Sequence, residues 1–124
     1  MTFKNYLSYL VLLMTFTFTA QLAVGQGKIY KMAQNPPKPK RGLEAFHEHV
    51  SQNVQKYKSG VRGNVFVQFV VEKDGKLSNI KVLKGVGNTN QAVIKALQTA
   101  PRWLPGKQNG RPVRVQKILA VKIG

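Results

Sequence analysis

Around Gly63 the chain alternates: Val61, Val65, Val67, Phe69 and Val71 are apolar, while Arg62, Asn64, Gln68 and Glu72 fall between them. A strand presents successive side chains to opposite faces, so this spacing demands a β-strand with one buried side. Asp74-Gly75 follows, a dipeptide that accepts the positive φ values of a two-residue hairpin loop, and then Leu77 to Lys84 with Ile80 and Val82 in step. The stretch therefore reads as a β-hairpin in which Lys73 faces Lys76, Phe69 faces Ile80 and Val67 faces Val82. On the other face Phe66 lies against Leu83 and Val70 near Leu77, a smaller apolar strip that a helix, another strand or a second chain would cover.

The rest of the 124 residues arranges itself about that hairpin. Leu43, Phe46, Val50, Val54 and Tyr57 recur at intervals of three or four, which predicts an amphipathic helix ending before Gly60. Its acids lie early and Lys56 and Lys58 late, as the helix dipole favours. After the hairpin, Thr89 and the neighbouring asparagines are good helix N-caps, and Val93, Ala96, Leu97 and Ala100 make a second apolar stripe closed by Pro101. Residues 101–112 hold three prolines and two glycines and are expected to be a loop anchored by Trp103. Val113, Val115, Leu119, Val121 and Ile123 then predict a final strand, interrupted only by Lys117. The expected fold is α+β over residues 42–124: a three-stranded antiparallel sheet with two helices on one face, in the order helix, strand, strand, helix, strand.

Upstream, Leu7 to Ala23 carries no charge and is rich in Leu, Val, Phe, Met and Thr. Residues 1–25 read as a signal peptide cut before Gln26, on the small residues Ala23 and Gly25, or as an uncleaved anchor: the uncharged run is long enough as a helix to cover about 30 Å. Either reading exports the remainder. Residues 26–41, with Pro36, Pro37, Pro39 and three basic residues from Lys38 to Arg41, read as a stiff linker reaching at most about 50 Å.

The chain has no cysteine, so disulfides, thiol chemistry and cysteine-based metal sites are excluded. Its four acids, Glu44, Glu48, Glu72 and Asp74, are split between a helix and a turn and suggest no paired-carboxylate site. His47 and His49 sit two apart on a helix, where they point to different faces and cannot readily share a metal; both are expected to face solvent. No serine lies in the motif of an activated nucleophile. No enzyme, cofactor or metal is therefore expected. Twenty Lys and Arg against those four acids give a net charge of +16, a field that attracts anionic partners. Exported chains meet little nucleic acid, and the basic residues do not alternate with exposed aromatics, so nucleic-acid binding is not expected.

Gly63-Asn-Val-Phe-Val-Gln-Phe-Val-Val-Glu-Lys-Asp-Gly-Lys, followed by Ala92 and by Pro101-Arg-Trp-Leu-Pro-Gly-Lys-Gln-Asn-Gly-Arg-Pro-Val-Arg-Val, resembles the C-terminal domain of TonB-type energy transducers in the form found in Bacteroidetes. The likeness spans about Leu43 to Ile123 and marks Gly63, Asp74, Gly75, Trp103, Pro105, Gly106, Gly110 and Pro112 as structural motif positions. It implies a periplasmic domain, secreted or tethered to the inner membrane by residues 6–25, that serves TonB-dependent outer-membrane receptors in energy-coupled transport. In that family a receptor segment, the TonB box, pairs with the last strand, here Val113, Arg114, Val115, Gln116, Lys117, Ile118 and Leu119. Inner-membrane proton-driven motor proteins enter as partners if residues 6–25 are an anchor, and a homodimer through Phe66, Val70, Leu77 and Leu83 stays open. The alternative is a free periplasmic cationic domain that binds an anionic surface or another envelope protein and transmits no force.

Overall fold

The computed structural model describes residues 27–124; the expected signal or anchor lies outside them. Along these residues run β1 (Ile29–Tyr30), β2 (Lys38–Pro39), α1 (Leu43–Tyr57), β3 (Gly63–Val71), β4 (Leu77–Lys84), α2 (Asn90–Gln98), β5 (Trp103–Leu104), β6 (Gly106–Gln108) and β7 (Arg111–Ile123). The α+β class and the two helices are as read. The sheet is larger and mixed: five strands in the order β1-β7-β3-β4, with β6 also on β7 and β1 parallel to it, while β2 and β5 pair separately. β7, β3 and β4 are antiparallel neighbours within it, but the expected three-stranded antiparallel sheet is replaced by this mixed one. The short strands were missed because two or three residues show no periodicity of their own.

Within the hairpin the turn differs from the reading. Gly75 N–H donates to Glu72 C=O (2.9 Å) and Glu72 N–H to Lys76 C=O (2.8 Å), so three residues, not two, form the loop and Lys73 does not face Lys76. Gly75 takes the left-handed φ of +86° that such a loop needs, and the Asp74 carboxylate accepts the Lys76 N–H (3.0 Å). This shift pairs Val71 with Leu77 and Val70 with Ser78. Asn79, at φ +48°, then supplies one extra residue to β4, and the register returns to Gln68 with Lys81 and Val67 with Val82. A second irregularity sets Phe66 against Lys84, where Leu83 was expected. The apolar strip is consequently divided: Leu77 packs on the core, Val70 is buried, and Phe66 and Leu83 stay exposed.

The core lies between the helices and one face of the sheet. Val65, Val67, Phe69 and Val71 of β3 meet Phe46, Val50 and Val54 of α1 and Val93, Ala96 and Leu97 of α2. Only the middle of the α1 stripe is buried; Leu43 and Tyr57 at its ends are exposed. Trp103 closes this core as expected of an anchor. Its ring stands edge-on to Phe46 (5.1 Å between centroids) and to Phe69 (5.3 Å), an arrangement that adds about 0.5–1.5 kcal/mol per pair beyond area burial. The main-chain N–H of Trp103 donates to the C=O of Gly75 (2.9 Å), which ties the hairpin turn to β5.

Two further readings are revised. Residues 101–112 are not a plain loop: Gln108 pairs with Arg111 across Asn109 (φ +53°) and Gly110 (φ +77°), a two-residue hairpin turn of mirror-image type. The segment read as a linker is held against the domain. Beyond the β1 and β2 pairings, Asn35 exchanges two main-chain hydrogen bonds with Lys107 (3.0 and 2.9 Å), and Pro37 is buried. Prolines there favour extended backbone, and an extended segment can pair as readily as it can span a gap.

Candidate functional site

β7 is paired along one side by β3 without interruption, from Val115 opposite Val71 to Ile123 opposite Gly63. The other side is covered only at its ends. At the start, Arg114 and Val115 pair with Ile29 and Tyr30 of β1, while Val113, ahead of the first β3 partner, pairs with Gly106 of β6. The slanted bonds of a parallel pair reach one residue beyond the last partner, so β1 engages the edge as far as Gln116. At the far end α1 takes over: Lys122 N–H donates to His47 Nδ1 (2.9 Å) and Gly124 N–H to Ser51 Oγ (2.9 Å).

Those two bonds also settle which way the backbone points. Lys122 and Gly124 direct their N–H groups away from β3, and main-chain groups alternate along a regular antiparallel strand. Ile118 and Ala120 therefore present N–H and C=O to the uncovered edge, while Lys117 and Leu119 bond to β3 and send their side chains to the helix side of the sheet. Ile118 is 58% exposed. Among the described residues no strand or side chain pairs with this window.

The seven residues expected at the binding edge thus divide. Val113, Arg114 and Val115 are already engaged, Gln116 borders β1, and Ile118 is open between Lys117 and Leu119. Ala120 belongs to the window and was not foreseen; its small side chain carries no signal, and only the parity of the pairing reveals it. Arg114 has a different task. Its guanidinium grips Glu72 in two-point fashion (Nε to Oε1 2.7 Å, Nη2 to Oε2 3.1 Å) and also reaches Gly27 C=O (3.4 Å). These hydrogen bonds hold the Glu72 carboxyl below its usual value, with the Ser78 hydroxyl and the Arg114 charge adding to the effect and burial and Asp74 opposing it.

The motif residues form the frame of this edge. Gly106 packs so closely on Val115 that a Cβ would lie 2.6 Å from the valine side chain. Pro105 links β5 to β6, Gly110 makes the turn into β7, and Pro112 pairs with Lys107. Gly63, at φ +139°, begins β3. The histidines were expected in solvent and are instead structural: His47 closes the edge, and His49 Nε2 donates to Ala96 C=O (3.0 Å), joining α1 to α2. Their spacing hid this, because each contact is to main chain far away in sequence. Among the described residues no group of three metal-ligating side chains is assembled, and no helix is long and apolar enough to cross a membrane.

A family model described as Gram-negative bacterial TonB protein C-terminal matches residues 54–122. The chain belongs to that family. No curated protein and no solved structure matches it. TonB C-terminal domains are periplasmic, act in TonB-dependent transport and interact with TonB-dependent receptors. The match takes in the end of α1, the whole hairpin, α2 and all but the last residue of β7, so the TonB domain includes the open edge but not β1 or β2.

Proposed function

We propose that this TonB domain binds the periplasmic segments of TonB-dependent outer-membrane receptors by adding a receptor strand to β7 at Ile118 and Ala120, in energy-coupled transport. The role is one of binding, without catalysis. The observation that carries it is the gap between β1 and His47, where a central strand of the sheet keeps unpaired main-chain groups on a side that a peptide can reach. An exposed strand edge is a template for a further strand, and main-chain bonds supply affinity irrespective of side chains.

The test is titration calorimetry of overlapping peptides from the host's receptor N-terminal segments against the chain and its variants. Ile118→Pro removes an edge-facing donor and leaves the β3 ladder whole, so it weakens binding roughly tenfold or more with the fold intact. Val115→Pro breaks a bond to β3 and lowers stability instead. Unchanged peptide affinity in both Ile118→Pro and Ala120→Pro would refute strand pairing.

A second reading is favoured by one observation. Among the described residues a single ion pair, Glu72 with Arg114, uses any of the acids, so most of the cationic surface is uncompensated. A domain acting through that charge would bind an anionic surface or envelope protein, and its affinity would fade as salt shortens the Debye length from about 10 Å at 0.1 M. Strand pairing persists under the same change. Action with the inner-membrane motor requires residues 6–25 to be retained as an anchor. The intact mass of the protein from the host envelope decides this: a mass beginning near Gln26 means a free domain, a full-length mass in the membrane fraction a tethered one. With residues 29–39 folded onto the domain, a tethered form would sit close to the inner membrane.

A further inference from the structure

Directly beside the open window, on the helix side of β7, lies a groove of about 350 Å³. Lys117 and Leu119 of β7 form one wall, Leu43 at the start of α1 and Pro37 and Pro39 form the other, and Trp103 contributes to the lining. Leu43 is the telling residue. It belongs to the apolar stripe of α1 yet is 46% exposed, although Phe46 in the next turn is buried.

A strand added to β7 lies about 4.8 Å from it and sends alternate side chains to the two faces of the sheet. The partner residue that faces the same way as Leu119 and Lys117 is delivered over this groove, a cross-strand neighbour with Cβ about 5 Å away. We infer that the groove is the side-chain subsite of the strand-binding edge and takes one aliphatic or aromatic side chain of the incoming peptide. Its volume is ample for an aliphatic or aromatic side chain. Main-chain pairing is indifferent to sequence, so this groove is where the domain distinguishes one extended segment from another. The occupant is a neutral or acidic segment and not a second copy of this chain, because two copies at +16 each repel.

This subsite rests on the strand-pairing reading, and its test separates the two. The probe is the tightest-binding receptor peptide from the titration above, scanned with alanine and with aspartate against the full-length chain. The expected pattern is a single inward-facing apolar position whose alanine replacement weakens binding about tenfold, as loss of a buried apolar side chain should, and whose aspartate replacement weakens it further. Leu43→Arg, at an exposed position that should not disturb folding, fills the groove and gives a comparable loss. With Leu43→Arg, the alanine replacement at that peptide position costs nothing more. If the peptide depends on Ile118 but shows no such position and is indifferent to Leu43→Arg, the subsite is refuted while strand pairing stands. If no receptor peptide binds, or Ile118→Pro and Ala120→Pro both leave binding unchanged, both fail. If the chain is a dimer by sedimentation and Leu43→Arg dissociates it, a second copy occupies the groove and the inference is overturned.

Discussion

Replacing Gly75 by alanine should be among the most damaging small changes available to this domain. At φ +86° the residue is in the left-handed region, where an L side chain costs about 1–2 kcal/mol. The turn is also pressed against β5: a Cβ at Gly75 would lie 2.1 Å from the main-chain oxygen of Trp103 and 3.2 Å from its nitrogen. Relieving that overlap requires the strand to retreat by more than an ångström, which breaks the Trp103 N–H to Gly75 C=O bond (2.9 Å) at a cost of about 1–3 kcal/mol. The sum is about 2–5 kcal/mol, and a domain of this size loses about 4–8 °C of Tm per kcal/mol, so the expected fall is about 8–40 °C. Gly110→Ala is the internal control. Its φ of +77° is similar, but nothing lies within 4 Å of its Cβ, so only the backbone cost of about 1–2 kcal/mol applies. Thermal and urea unfolding of both variants, followed by circular dichroism, measure the difference. Equal destabilisation, within about 0.5 kcal/mol, would show that contact between the turn and Trp103 contributes nothing.

Glu72→Gln should cost roughly 1 kcal/mol at neutral pH, the scale of a well-formed, partly exposed pair. Because the folded carboxyl is held below its ordinary value, its contribution is complete above that value and is lost as pH falls through and below about 4.5; the urea midpoints of wild type and variant should converge from pH 7 to pH 3, and a constant gap contradicts the assignment. Asn79→Val should lose about 1–2 kcal/mol, since a β-branched residue resists φ +48°, while Asn79→Gly should be close to neutral; urea midpoints of the pair test the bulge.

Alternation in β3, the helical stripes of α1 and α2 and the alternation in β7 are each encoded by ten or so consecutive residues, and each was legible. The hairpin register shows where such reading stops. Asp74-Gly75 announces a turn, but whether two or three residues form it is set by how Gly75 packs on Trp103, nearly thirty residues away. The compensating bulge at Asn79 restores the pairing of Val67 with Val82, so a correct register at one end concealed a shift at the other. Asn109-Gly110 was a readable hairpin signal, obscured by the three prolines around it.

The candidate site divides along the same line. That a final strand exists, that it is apolar on alternate residues and that it belongs to a TonB domain are properties of the sequence, because periodicity and motif are local. Which residues of that strand are open is a property of the assembled fold. β1 comes from more than eighty residues upstream to cover Arg114 and Val115, and His47 of α1 reaches the other end. The window between them, and the groove under it, are made of groups whose proximity no local pattern encodes: main-chain N–H and C=O are identical in every residue, and only packing decides which of them are left without a partner.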